Sequence, residues 1–156
     1  MGRDPRCALL MATRAHTIIA GIISKLEAIT PDEQSGSADK FRHNPGIDVT
    51  DAAISRDRAF AIAPASPVVR DMRYISSTTP AVCSAEFDLA VAYQATRHAR
   101  DRILKDSERI LVALETFQGE NSSDVLEVSI SSGTITPLDR TVLTEFVVLV
   151  TYQLDI

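Results

Sequence analysis

The first ordered hydrophobic pattern starts at Thr13. Ile18, Ile19, Ile22, Ile23, Leu26 and Ile29 recur at steps of three and four, which marks one face of an α-helix, while Lys25 and Glu27 fall elsewhere. Gly21 costs such a helix about 1 kcal/mol relative to alanine. Pro31 ends it, because the residue before a proline is driven out of the helical region. A second helical stripe runs from about Thr96 to Phe117. Ile103, Ser107, Ile110, Leu114 and Phe117 define it, and Leu104 and Leu111 widen it. Asp101 and Lys105 form a favourably oriented i,i+4 pair, and Gly119 stands where a helix C-terminus favours glycine.

Elsewhere the period is two. A short strand is predicted over Arg58 to Ala63, around Phe60 and Ile62, and another over Val68 to Ile75, interrupted by Arg70, Asp71 and Arg73. Glu86 to Gln94 alternates most clearly, with Phe87, Leu89, Val91 and Tyr93 on one side and Glu86, Asp88, Ala90 and Ala92 on the other. Leu126, Val128 and Ile130 alternate with Val125, Glu127 and Ser129 in a strand expected to end at Ser132-Gly133. Thr141 to Leu154 is a long β-rich run. Phe146, Val148, Val150 and Tyr152 face one way and Val147 and Leu149 the other, which predicts a central strand or one covered on both faces. The runs Phe87–Gln94 (FDLAVAYQ) and Phe146–Gln153 (FVVLVTYQ) echo each other, as two paired half-buried strands would.

Residues 31–57 break the pattern. Pro31 to Ser37 is polar and rich in loop formers, Phe41 stands alone, Asn44-Pro45-Gly46 reads as a turn, and a short helix fits near Asp51 to Ser55. So long a connection is usually mobile or functional. Ser76 to Pro80 reads as a loop and Asn121-Ser122-Ser123 as a turn. Residues 1–12 read as a flexible leader in which Met11 is an alternative start, and residues 13–156 as one domain. The expected fold is α/β in the α+β sense: two amphipathic helices packed on one mixed or antiparallel sheet of four to five strands.

Composition narrows the function classes. A chain of 156 residues can bury one sizeable core without a metal or disulfide. The net charge of −5 argues against bulk or specific nucleic-acid binding. No stretch approaches the roughly 20 apolar residues of a membrane span, and the apolar run Ala8 to Ala12 is too short for a secretory signal. With Cys7 in the leader and Cys83 apart from it, a reducing compartment fits better than a structural disulfide.

Candidate chemistry is sparse. His16, His43 and His98 fall on separate elements and neither cysteine has a ligand-type neighbour, so no metal is expected. Neither a G-x-S-x-G elbow nor a phosphate-binding glycine motif is present. Glu86 and Asp88 share a strand face and could do acid–base work, although such pairs are more often the solvated end of a strand. His16 and His98 read as surface residues. Arg97, Arg100 and Arg102, with His98, form a basic cluster at the start of the second helix. It is either a solvated face neutralised by Asp101 and Asp106 or a docking patch for an acidic surface of a neighbouring subunit. DNA contact ranks third, since stacking aromatics are missing nearby. Phe41 is a further candidate interface residue, with burial in its own domain the equal alternative.

The chain resembles the small tail-terminator and tail-completion (neck) proteins of tailed phages. The likeness lies in the Ile-rich opening helix (His16 to Ile23), the polar stretch leading to Arg58-Ala59-Phe60-Ala61-Ile62, and the strand Phe87 to Tyr93. An Arg-containing helix then follows, and Phe146 to Tyr152 closes the pattern. It spans roughly residues 13–154 as pattern, without signature motifs. The resemblance implies a homohexameric ring that caps the tail tube and joins it to the head-completion, or connector, proteins. It implies no enzyme activity, cofactor or membrane, and a place in the tail or neck of the virion after assembly in the host cytoplasm. Other readings are another head–tail connector or minor tail protein, a small enzyme with a dispersed site around Glu86, Asp88 or His98, and a cellular oligomeric binding module.

Overall fold

The computed structural model describes residues 13–31, 37–44, 48–54, 56–74 and 81–154. Helix α1 spans Arg14–Glu27. It starts at Thr13, whose hydroxyl accepts the His16 N–H at 3.2 Å and so satisfies one of the unpaired amides of the first turn. Ile18, Ile22 and Leu26 form its buried stripe. Strand β1 (Arg42–His43) and the short helix α2 (Val49–Ala53) follow, with Asp48 capping α2 through the Thr50 N–H at 2.9 Å. Next come β2 (Ala59–Pro64), β3 (Val69–Arg70), a 3-10 turn (Met72–Tyr74) and β4 (Ala81–Gln94). Helix α3 (Ala99–Glu120), β5 (Val125–Pro137) and β6 (Thr141–Leu154) complete the order.

The six strands make one mixed sheet in the order β1-β2-β4-β6-β5, with β3 also on β4. Only β1 and β2 run parallel. Strands β4 and β6 pair along their whole length, from Ala81 opposite Leu154 to Gln94 opposite Thr141. The two similar sequences are therefore central partners, and Phe87, Leu89, Val148 and Phe146 meet on one face. On that face α1 and α3 bury the main core. The opposite face is covered at one end by α2, whose Val49 and Ala53 pack on Ala59 and Ala92 beside Leu143. Towards its other end Arg73 of the 3-10 turn reaches Glu127 of β5 at 3.4 Å. The two ends of β6 are thereby covered on this face, while Val147 and Leu149 between them stay half-buried.

Several expectations need correction. The stretch 31–57 holds the short helix expected near Asp51 to Ser55, at Val49–Ala53, and is more than a long loop because its described residues also include β1. Backbone bonds from Arg42 to Arg58 (3.0 Å) and from Asn44 to Phe60 (2.9 Å) tie β1 to the sheet. The expected turn at Pro45-Gly46, the loop at Ser76 to Pro80 and the leader 1–12 lie outside the described residues. Leu104 and Leu111 do not widen the buried stripe of α3 but face outward. Ala99, Arg102, Asp106 and Ala113 share the buried side with Ile103, Ile110, Leu114 and Phe117. Gly119 does not end α3. The helix runs one residue further and is capped at Asn121, whose side-chain amide donates to the Phe117 carbonyl at 2.8 Å.

Strand β5 also continues past Ser132-Gly133, because β6 offers it a continuous partner as far as Pro137. Gly133 fits there closely, since a Cβ would lie 3.3 Å from the Glu145 carbonyl oxygen and 3.3 Å from the Phe146 ring, so either neighbour would have to give by a few tenths of an ångström. A bulge between Val125 and Glu127 disturbs the ladder, and Gln118 of α3 compensates. Its side chain donates to the Leu126 carbonyl at 2.9 Å and accepts the Val128 N–H at 3.1 Å.

Two glycines give opposite predictions. At Gly21 a Cβ would meet Phe117 Cε2 at 2.5 Å, where α1 crosses α3. Overpacking of a buried contact costs about 1–3 kcal/mol, against about 1 kcal/mol gained in helix propensity. Gly119, with nothing within 4 Å of the added atom, carries only the propensity gain. Thermal melts should show Gly119→Ala raising the midpoint and Gly21→Ala lowering it.

Candidate functional site

Two features stand out: a buried ionic cluster at one end of the sheet, and an exposed apolar arm next to it. The cluster begins where β2 begins. Asp57 and Arg58 are both buried, and Arg58 adopts a positive φ of 64°, a conformation that non-glycine residues rarely take. That turn directs its guanidinium inward to Asp106 of α3, with Nε–Oδ2 at 2.7 Å and Nη2–Oδ1 at 3.1 Å. The Arg58 Nη1 donates to the carbonyls of Ser37 (3.0 Å) and Asp39 (2.7 Å). Asp57 accepts from Arg102 Nη1 at 3.0 Å and from the Gln94 backbone N–H at 2.8 Å. Its own N–H donates to the Asp39 carboxylate at 2.9 Å.

Two acids and two arginines thus neutralise each other while binding the backbone of residues 37–39, the end of β4 and α3. Buried pairs of this kind add little net stability over a well-packed apolar core, but they are costly to break one partner at a time. Their chemistry here is that of a clamp, with Asp106 matched by Arg58 and Asp57 by Arg102.

Tyr93 adds a titratable edge. Burial, and then the Asp106 carboxylate to which its hydroxyl is bonded, push the phenol well above its ordinary value of 10.0. The folded state therefore keeps this proton after the unfolded chain has lost it. The associated stability is complete below about pH 10 and is lost as pH rises above it. Tyr93→Phe should flatten that alkaline loss, as read from denaturant midpoints between about pH 9 and about pH 11.

The residues singled out as candidate interface positions separate into two groups. Phe41 is 2% exposed, so it is not an available interface anchor in the chain. Its ring meets Phe60 edge-on at 6.3 Å, and the Arg58 guanidinium lies 5.8 Å from its centroid. Its sequence neighbours are polar, but the fold brings β2 beneath it. Arg102 is likewise no docking residue: it is 2% exposed and paired with Asp57. Arg97 and Arg100 are exposed, and Arg97 bonds to the adjacent His98 ring at 3.1 Å. Asp101 pairs with Lys105 at 3.2 Å, whereas Asp106 is committed to Arg58.

Glu86 and Asp88 project from the α2 side of the sheet, in the window between α2 and the 3-10 turn. Half-buried Val147 and Leu149 lie beside them, and Glu145 is diagonal to Asp88. None of the three acids carries an ion pair among the described residues. His16 is exposed and contacts Thr13, and His43 is half-buried against Phe60 with ring centroids 5.4 Å apart. The described residues hold no group of three or more His, Cys, Asp or Glu that could bind a metal ion. No described helix is long and apolar enough to cross a membrane.

Sequence reasoning missed the clamp itself: Asp57, Arg58, Asp106 and Tyr93. A signal existed, because Arg102 and Asp106 are four apart and in phase with Ile103, Ile110 and Leu114. Opposite charges on the apolar stripe of a helix need buried partners.

The arm is the end of the β5–β6 hairpin. Residues 131–140 are all exposed, and among the described residues β5 has a strand neighbour on its β6 side alone. On the helix side of the sheet, Ile135 (55% exposed), Pro137 and Val142 face Leu104 of α3 (66% exposed). Together with Arg100 they line a depression of about 440 Å³. No protein-family model matches the chain, and no curated protein matches its sequence.

Proposed function

We propose that this chain is a structural virion subunit, a tail-terminator-like protein. In this reading it forms a homohexameric ring that caps the tail tube and joins it to the head-completion proteins, with no catalytic step. The observation that carries the reading is the exposed β5–β6 arm beside outward-facing Leu104 of α3, backed by a full-length β4–β6 ladder and by the ionic clamp. Large apolar side chains grouped at one end of a stiff sheet suit a subunit that works in contact with neighbours. The segments on which the resemblance to tail-terminator proteins rests form α1, β2, β4, α3 and β6, which is compatible with that reading. A net charge of −5 suits a ring held by protein contacts and not by DNA.

The test is the assembled particle. Quantitative mass spectrometry and electron microscopy of virions should find about six copies of the chain at the head-proximal end of the tail, in keeping with closed cyclic symmetry. A single copy, or a position away from the tail and neck, would overturn the terminator assignment. A ring on the portal side of the neck would make it a head–tail connector instead.

A further inference from the structure

We infer that the arm groove of one copy of this chain receives the acidic sheet window of a second copy, as the repeating contact of a head-to-tail ring. The groove is formed by Leu104, Ile135, Pro137 and Val142, with Arg100 on its rim and Arg97 three residues before it in the turn that leads into α3. The window lies on the other face of the sheet. Val147 and Leu149 are at its centre, with Glu86 and Asp88 on β4 and Glu145 on β6 around them. The inference deepens the ring reading and rests on it for the identity of the partner.

Two arguments select a second copy as the occupant. The first is charge. Glu86, Asp88 and Glu145 share one face of adjacent strands, with Glu145 opposite Ala90 and so diagonal to Asp88. Like charges on neighbouring strands repel, and within the chain these acids have no ion-pair partner among the described residues. Arg100 puts positive charge on the rim of an apolar groove of complementary character, and exposed Arg97 adds a second positive charge three residues before it. Each surface has an apolar centre and a charged rim, and the rims have opposite sign. Rim charges of this kind set register and encounter rate, while the apolar centres supply the burial.

The second argument is geometry. The groove lies on the α1–α3 side of the sheet and the window on the α2 side. A twofold pair would require both surfaces on the same side of the molecule, facing the same neighbour. Surfaces on opposite faces must engage two different neighbours, which makes the contact heterologous and lets it close as a ring.

The experiment uses the full chain and two charge-reversal variants, Arg97→Glu/Arg100→Glu in the groove and Glu86→Arg/Asp88→Arg in the window. Circular dichroism and thermal melts first establish that both fold. Sedimentation velocity at the highest soluble concentration should show the wild type as a species larger than a dimer and each variant alone as a monomer. An equimolar mixture should regain assembly, because each reversed surface then meets its complement. Leu104→Glu, at an exposed position, should abolish assembly without a loss of folding. The inference is overturned if the wild type stays monomeric, if it stops at a dimer, if the variants assemble as the wild type does, or if the mixture stays monomeric. Rings in particles built from normally assembling variants would keep the terminator reading and remove this contact. Rescue in the mixture by a chain missing from the particle would keep the contact and remove that reading.

Discussion

Asp106→Ala should destabilise the protein by about 3–5 kcal/mol, the usual cost of leaving a buried charge without its partner. Both Arg58 and Asp106 side chains are fully buried, and the guanidinium binds the carboxylate through two bonds of 2.7 and 3.1 Å. With alanine at 106, Arg58 keeps its carbonyl acceptors at Ser37 and Asp39 but loses its counter-charge. Water cannot replace that charge without opening the seam between α3 and β2. Tyr93 would lose its acceptor in the same step.

Asp106→Asn separates charge from shape, because it keeps an acceptor oxygen at nearly the same size, and it should fall between the wild type and alanine. A paired replacement, Arg58→Met with Asp106→Leu, removes both charges and should cost less than the sum of the two single changes. Urea unfolding of the four proteins measures each quantity. An unchanged midpoint for Asp106→Ala would mean that the clamp does not hold the fold.

The second large effect is at Phe41. Phe41→Ala should cost about 3–5 kcal/mol, the range for truncating a buried phenylalanine. The ring fills the space above Phe60, edge-on, and receives the Arg58 guanidinium on its face. Its loss would empty a cavity between the clamp and β1. Hydrogen exchange should therefore quicken at Arg42 and Asn44, whose N–H groups bond to the Arg58 and Phe60 carbonyls. An interface residue would behave otherwise: its truncation would leave the isolated subunit as stable as before and weaken only the assembly. Denaturant unfolding of the isolated chain separates the two roles.

Residues 37–58 show why part of the site escaped sequence reasoning. Apart from the short helix near Asp51 to Ser55, the segment is polar, with one aromatic and no period, so it reads as a loop. The order of its described residues comes from partners outside it: Asp106 and Arg102 on α3, Gln94 at the end of β4, and Phe60 on β2. Arg102 was legible as a charged residue near a helix start, where the usual reading is a solvated face. What sets it apart from exposed Arg100, two residues away, is only its phase with Asp106 and the stripe Ile103, Ile110 and Leu114. The candidate window was half legible. Glu86 and Asp88 appear on one face of a strand in the sequence, but Glu145 joins them only through the β4–β6 register.

Periodicity alone determined the two long helices, the central strands and the α+β class, because a stripe of Ile18, Ile22 and Leu26 or an alternation such as Phe87 to Tyr93 has one economical way to bury itself. Ends and extensions were weaker. Gly119 and Gly133 look like stops, yet α3 runs past the first because an exposed glycine costs a helix only about 1 kcal/mol, and β5 runs past the second because β6 supplies the ladder. Only the tertiary structure decided which charges are buried, that Phe41 belongs to the core, and which apolar residues stay outside. Those outcomes depend on contacts between residues tens of positions apart, and the free energy of burying a charge is set by the partner it finds there.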